Sequence, residues 1–363
     1  MSSLPCIDVV VVNYFSSADV ARCLAQLSPW PHGTIWLVDN SADAAETNAL
    51  RECAGHLPFV TLIDPGKNLG FGRGCNLAFE TSSAPLVLLL NPDAQVSKQD
   101  LITLARTVQA DPRLGAASPR IYWNEARTFL LPEAFPQTPA TAVGQALSSR
   151  AAAVAKWMAA RYIHRQQARM TSGTPYRVNF LAGAVLMLRR EAVMDAGGLF
   201  DPGYFMFFED SDLSLRLRRA GYRLAMVPAA AAVHEYRHKA FKADMMAQSR
   251  ERYYVKHFPR FHRLSDGLAR LDRISHAVDA GRWFEKLPNP CRTLQDFTAQ
   301  AGDAGVLAFS PSMLMRPAIF RPPADPVQSF SEEEWSLLEP AAYVALMQHT
   351  ASRRRWVHFE RVA

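Results

Sequence analysis

Cysteine is scarce: five residues in 363 (Cys6, Cys23, Cys53, Cys75 and Cys291), widely spaced and with no C-x-x-C pair. That excludes a disulfide framework or a zinc ribbon and fits reduced, mostly buried thiols in a cytosolic protein. Long apolar runs are missing too, since none reaches the roughly 18–20 residues of a membrane-spanning helix. The first apolar run, Ile7–Val12, contains Asp8 and has neither a basic segment before it nor a small-residue cleavage site. It therefore reads as a buried strand rather than a secretory signal. A third absence is the dinucleotide fingerprint. In Gly70-Phe71-Gly72-Arg73-Gly74-Cys75 a cysteine stands where the third glycine belongs, and the loop follows the third strand rather than the first. This argues against a nicotinamide enzyme.

What remains is an ordinary globular composition, 49% hydrophobic and 20% charged, with length enough for about two domains. A net charge of +6 points to anionic partners such as nucleotides, phosphates or an acidic membrane surface, without choosing among them.

Through the first hundred residues short apolar strands alternate with helical stretches. Strands are expected at Asp8–Val12, Thr34–Val38, Phe59–Ile63 and Leu86–Leu90. Helices are expected at Ala18–Leu27, Glu46–Ala54, Cys75–Thr81 and Lys98–Ala110. This repetition predicts an α/β fold with a mostly parallel sheet and helices on both faces. Ligands bind such sheets at the carboxyl ends of the strands. Asn13, Asp39, the glycine loop and Asp93 all fall at those ends, so four polar groups converge on one rim. Within the loop Arg73 and Asn76 supply donors, and the alternate glycines allow close approach of a ligand.

Asn91-Pro92-Asp93 puts a carboxylate at the tip of the apolar strand LVLLL. One carboxylate is a poor magnesium or manganese site unless phosphate oxygens complete it. His234, after the apolar run Ala229–Val233, is the candidate supplement, although such a histidine is by itself more often structural than a ligand.

The richest stretch is Phe200–Arg219, FDPGYFMFFEDSDLSLRLRR. An aromatic turn delivers Glu209, Asp210 and Asp212 to the start of a short helix, with Arg216 one turn after Asp212. The plain reading is an acidic helix cap. The alternative is a carboxylate walled by aromatic neighbours and tuned as a general base.

Elsewhere the sequence predicts a strand over Val178–Leu188, a helix over Arg190–Ala196, a strand over Tyr222–Val227 and a basic helix over Arg250–His257. Residues 132–170, Pro-rich and then Ala- and Arg-rich, form an insertion with a helix expected over Val143–Met170. It reads equally as a basic flap over a phosphate-bearing lipid acceptor or as a mobile insertion. Residues 259–363 read as a small appended α+β module of unassigned role. Its strands are expected at Gly305–Phe309, Ala318–Arg321 and, at an edge, Trp356–Arg361. Ser331 and Glu334 form a capping box for a helix over Glu332–Leu338.

Taken together, VVVVNYFSS, LVDNSAD, KNLGFGRGCN, LLLNPDAQV, FLAGAVLMLRREAVMDAGGLFDPGYFMFFEDSDLSLRLRRAGYR and VPAAAAVHEYRHKA resemble family 2 glycosyltransferases in order and spacing. The likeness is closest to the bacterial rhamnosyltransferase-like branch and covers residues 8–258. The resemblance implies a GT-A domain over 1–258 and inverting, metal-dependent transfer from a nucleotide-diphosphate sugar, with dTDP-L-rhamnose the first choice. The acceptor would be a cell-envelope polysaccharide or polyprenyl-linked glycan, not a nucleic acid. The protein is expected to be cytoplasmic, either soluble or peripheral at the cytoplasmic face of the inner membrane. By the same likeness Asp39 would meet the pyrimidine base, with Asn13, Asn68, Arg73, Asn76 and Asn91 in the nucleotide-sugar pocket. Asp93 would be the last acid of the metal-binding D-x-D motif, holding Mg or Mn with His234. Asn91 replaces that motif's first acid, which leaves less charge on the metal. Asp210 would be the catalytic base, with Glu209 and Asp212 as positioning or acceptor-contacting groups.

Three rivals are weighed against this reading. A nucleotidyltransferase would need a basic glycine loop after the first strand, which Asn13-Tyr14-Phe15-Ser16 does not supply. A dehydrogenase lacks its fingerprint. A catalytically inactive nucleotide-sugar scaffold of the same fold should have lost Asp93, Asp210 or His234, and all three are present.

Overall fold

The structure, a computed structural model, describes residues 4–131, 136–148, 151–234, 243–261, 284–302, 304–312, 318–322, 327–348 and 354–363. The end of the VPAAAAVHEYRHKA block (Glu235–Ala240) and residues 262–283 of the expected C-terminal module lie outside them. The chain divides into two compact units. One comprises Met1–Ile121, Gly173–His234 and Phe241–His257; the other comprises Tyr122–Ser172, Glu235–Ala240 and Phe258–Ala363. The 132–170 insertion thus groups with the C-terminal residues.

The first unit follows the alternation read from sequence: β1 (Ile7–Asn13), α1 (Ser17–Leu27), β2 (Ile35–Asp39), α2 (Ala44–Ala54), β3 (Val60–Ile63), α3 (Phe71–Thr81), β4 (Leu86–Leu90), β5 (Ala94–Val96), α4 (Lys98–Ala110) and β6 (Leu114–Tyr122). In the second unit come α5 (Pro139–Ser148) and α6 (Ala152–Met170). The first unit resumes with β7 (Tyr176–Val178), β8 (Val185–Arg189), α7 (Arg190–Asp195), α8 (Glu209–Arg219), β9 (Arg223–His234) and α9 (Ala243–His257).

Strands run in the order β3-β2-β1-β4-β8-β6-β9-β5, with β7 beside β9. The β3-β2-β1-β4 core is parallel, and β8 joins β4 antiparallel. The unbroken apolar character of β1 has a direct cause, because both of its faces are buried. Val9 and Val11 pack with Val20 and Leu24 of α1, Leu50 of α2 and Leu101 and Leu104 of α4. Val10 faces the other way, onto Cys75 and Phe79 of α3, Val193 of α7 and Leu213 and Leu217 of α8. Helices therefore cover both faces, and α3 and α8 share one of them.

Several boundaries differ from expectation. The helix after the glycine loop begins at Phe71, so Gly72 and Gly74 lie inside it, and Gly70 precedes it with φ of 81°. Val178–Leu188 is not one strand but the ends of β7 and β8, because Asn179–Ala184 leaves the sheet to form a loop. The predicted Tyr222–Val227 strand extends to His234, and the predicted Val143–Met170 helix is two helices, α5 and α6.

The second unit has a five-stranded sheet in the order β10-β14-β13-β11-β12: β10 (Glu285–Lys286), β11 (Gly305–Ser310), β12 (Ile319–Phe320), β13 (Ala341–Gln348) and β14 (Arg354–Arg361). The last strand lies between β13 and the two-residue β10 rather than at the edge. The sequence reading missed β13. The capping box forms as expected, with Ser331 and Glu334 each bonding the other's backbone N–H. The core here is aromatic: Trp123, Phe129, Phe297, Phe309, Phe330, Trp335 and Phe359.

Candidate active site

The parallel register sets the rim. Asn13 at the end of β1 pairs with Asp39 at the end of β2. Its amide donates to Asp39 Oδ1 and to Glu46 Oε1, each at 3.1 Å. Asp39 is fully buried. It accepts from the Ser41 N–H (3.0 Å), Ser41 Oγ (2.6 Å) and Thr47 Oγ1 (2.6 Å). Burial alone would raise its pKa, but these bonds to the ionised form outweigh burial and hold it below the usual carboxylate range. Glu46 also receives the Ser17 N–H and hydroxyl. Ser41, Glu46 and Thr47 were not singled out from sequence; the signal was D-N-S followed by E-T at the start of the next helix.

The glycine loop is joined to the acid-bearing segment. Asn68 Oδ1 accepts from the Gly70 N–H (2.9 Å), and Asn40 donates to the Gly70 carbonyl (2.9 Å). The Phe71 N–H donates to the Phe205 carbonyl (3.0 Å), and Arg73 Nε to the Pro202 carbonyl (2.7 Å). Asn76 bonds both backbone groups of Phe200. Arg73 and Asn76, expected as donors to a nucleotide, here clamp residues 200–205 onto α3. Glycine is required at 70, where a Cβ would stand 2.3 Å from the Phe205 oxygen.

That segment reaches α8 through Phe207 and Phe208, both left-handed at φ 69° and 65°. Two consecutive bulky residues in this region cost about 1–2 kcal/mol each. Strain of this kind is retained where surrounding bonds dictate it, and here it sets the first turn of α8. Glu209, Asp210 and Asp212 all lie in that turn, at the positive end of the helix.

The three acids have different environments. Glu209 is buried, and its Oε2 has no hydrogen-bond partner among the described residues. Burial pushes its pKa well up, and the charge of Asp210 pushes it further. Asp210 is partly exposed and accepts from the Ser211 N–H at 2.7 Å. Burial raises its pKa, while bonds from the Ser211 and Gly183 backbones pull it part of the way back. Asp212 is fully buried; Arg216 and Lys256 pair with its charge, and His257 hydrogen-bonds it. Burial works against its ionisation, but hydrogen bonds from His257 and Lys256 and the charge of Arg216 keep it well below the usual range.

Asp93 and His234 meet where β5 pairs with β9, with Asp93 Oδ1 3.3 Å from His234 Nε2. Among the described residues no three carboxylate, histidine or cysteine side chains cluster as a metal site. A carboxylate and an imidazole this close fit two positions of a magnesium or manganese sphere, leaving the rest for oxygens of a ligand. The loop before β8 joins this pair to the acids, because the Ala184 carbonyl accepts the Asn91 N–H at 2.8 Å while the Gly183 backbone serves Asp210.

A parallel α/β core with helices on both faces and polar groups gathered at its strand ends is the GT-A arrangement. A mannosyltransferase from Pyrobaculum calidifontis, solved with GDP-Man and Mn2+, shares it. The TM-score is 0.50 at 16% identity, over 83% of this chain and 79% of that one. The chain belongs to glycosyltransferase like family 2, whose family model matches residues 5–254, and it is a hexosyltransferase. It is 31% identical to the N-acetylglucosaminyl-diphospho-decaprenol L-rhamnosyltransferase of Mycobacterium tuberculosis over 246 residues, 63% of this chain and 76% of that protein. It is 28% identical to the rhamnosyltransferase WbbL of Escherichia coli (strain K12) over 205 residues, 54% and 72% of the two chains. These relatives bear out the rhamnosyltransferase-like branch.

Proposed function

We propose that the chain transfers L-rhamnose from dTDP-L-rhamnose, with inversion, to a polyprenyl-linked or growing polysaccharide acceptor, and that Asp210 is the general base. The observation that carries this reading is the Gly183–Ala184 loop, which bonds both the acid turn and the Asn91–Asp93 strand end. A base for the acceptor hydroxyl and a site for the leaving diphosphate thus share one support. Among the described residues, Asp210 alone of the three acids is both partly exposed and without a cationic partner. A base must reach its substrate, and its raised proton affinity suits it to accept a proton near neutral pH. Glu209 is buried beside Asp210, and Asp212 anchors the turn.

Asp93 and His234 would hold a magnesium or manganese ion. When bound, the ion would neutralise charge on the departing diphosphate. Asp39 and Asn13 would form the floor of the base pocket, their mutual bonds fixing the loop before a nucleotide arrives. Asn68, Arg73 and Asn76 support that pocket mainly through the main chain they hold, and Asn91 through its own backbone N–H and carbonyl. The relatives' names support rhamnose and a decaprenyl-diphosphate-linked acceptor. An acceptor of that kind would bring a cytoplasmic protein to the inner face of the membrane.

The test is thermal stability against dTDP- and UDP-sugars, each with and without magnesium or manganese. Ligand binding to the folded state raises the midpoint by mass action. A metal-dependent shift with dTDP-L-rhamnose is expected. A shift with a different sugar alone would overturn the rhamnose assignment.

A further inference from the structure

The α5–α6 hairpin is one-sided in charge. From 134 to 190 the sequence has no aspartate or glutamate, while α6 carries Lys156, Arg161, Arg165 and Arg169. Its inward face is already satisfied. Ala159, Tyr162 and Ile163 pack with Phe284, Leu307, Phe320 and Leu346 of the same unit. Met158 faces α5, lying against Gly144 and 3.0 Å from Ser148 Oγ.

The opposite stripe of α6 is exposed and mixes cations with one large ring, in Trp157, Arg161, His164 and Arg165; Lys156 is exposed on its flank, with its ammonium 5.9 Å from the Phe284 ring centre. Trp157 is 61% exposed, with the Arg161 guanidinium 5.7 Å from its ring centre. On α5, Val143 and Leu147 are exposed one turn apart, Leu147 at 56%. Water is a poor partner for this indole and these aliphatic side chains, whereas the boundary between lipid headgroups and acyl chains suits both. The cations flanking the ring have no acids beside them on the hairpin, so the face complements a surface of phosphates.

We propose that the outward face of the α5–α6 hairpin docks on an anionic phospholipid bilayer. Trp157, Leu147 and Val143 enter the headgroup boundary, and Lys156, Arg161 and Arg165 meet lipid phosphates. The proposal rests on the membrane-linked acceptor of the preceding reading for its biological sense, but not for its test.

The test is sedimentation of the full chain with vesicles of phosphatidylcholine, with and without phosphatidylglycerol, in the absence of donor and acceptor. Binding to the anionic vesicles only, weakened by salt, is expected. Each basic residue near such a surface is worth about a fivefold change in partitioning. Changing Lys156, Arg161 and Arg165 to Gln together should weaken binding about a hundredfold, and Trp157→Ala about tenfold. All these side chains are exposed, so melting temperature and transfer to a short soluble acceptor should not change. Wild-type protein that ignores anionic vesicles overturns the proposal, as do variants that bind as well as wild type. So does a Trp157→Ala change that alters only the oligomeric state, which would make the face a contact between copies. Because the assay contains no sugar nucleotide, its failure leaves the transferase reading standing, and failed donor binding leaves this one standing.

Discussion

His257 Nε2 lies 2.6 Å from Asp212 Oδ1, with both side chains shut off from solvent. On the other side of the ring Arg219 donates to Nδ1 at 2.8 Å, which selects the tautomer with its proton on Nε2. Lys256 reaches both Asp212 and Asp201, Arg252 also binds Asp201, and Ser249 donates to the Met206 carbonyl. Helix α9 is therefore bolted to the acid-bearing turn from its middle to its C-terminal end.

Removing the charge at this bolt should be costly. Asp212→Asn leaves Arg216 and Lys256 facing a neutral group, and breaking a buried pair from one side costs about 3–5 kcal/mol. The pH dependence has a definite sign. The folded-state pKa of Asp212 is depressed, so its contribution is present above the ordinary aspartate value and is lost as pH falls toward the folded one. Acid unfolding followed by circular dichroism should be steep in wild type and flatter in Asp212→Asn. Identical curves would contradict the assignment.

Asp210→Asn should reduce transfer by about 10²–10⁴-fold while leaving nucleotide-sugar binding within a few fold. Steady-state rates and calorimetric titration read the two quantities separately. Comparable turnover by the variant would remove Asp210 from the role of base.

Since a base must be ionised and burial raises the Asp210 pKa, activity should be lost on acidification at a higher pH than an ordinary carboxylate, near 3.9, would give. Glu209 makes a companion prediction on stability. Its folded pKa lies above its unfolded one, so ionisation penalises the folded state increasingly as pH rises from the unfolded value through the folded one. Glu209→Gln should therefore gain melting temperature relative to wild type at alkaline pH and little at pH 4. A gain that is flat with pH would refute this.

Asp93→Ala and His234→Ala should each weaken the dependence of donor binding on magnesium or manganese, with the larger effect at Asp93, which carries the charge. Titrating metal at fixed dTDP-sugar tests both. An unchanged midpoint in either variant would exclude that residue from the site.

Much of the site was legible because its residues sit where a local pattern ends. Asn13, Asp39 and Asp93 close apolar runs, and the end of a parallel strand is a rim position whatever the rest of the chain does. The acid turn was visible as three carboxylates after aromatics. What could not be read was how each group is occupied. Arg73 and Asn76 looked like ligand donors, yet their partners are backbone atoms of residues 200–202, over a hundred positions away. The three acids differ by neighbours that sequence does not supply: α9 for Asp212, the Gly183 loop for Asp210 and burial against Asp210 for Glu209.

The sequence by itself determined the alternation of strands and helices, the apolar core of the sheet and the family. All of these depend on short-range periodicity and on motifs whose spacing the backbone preserves. Only the tertiary structure decided that Asn179–Ala184 leaves the sheet, that Phe207 and Phe208 take left-handed backbones and that α6 turns Trp157 outward. Each of these balances local preference against packing and hydrogen bonds from distant segments, and those terms exist only once the chain has folded.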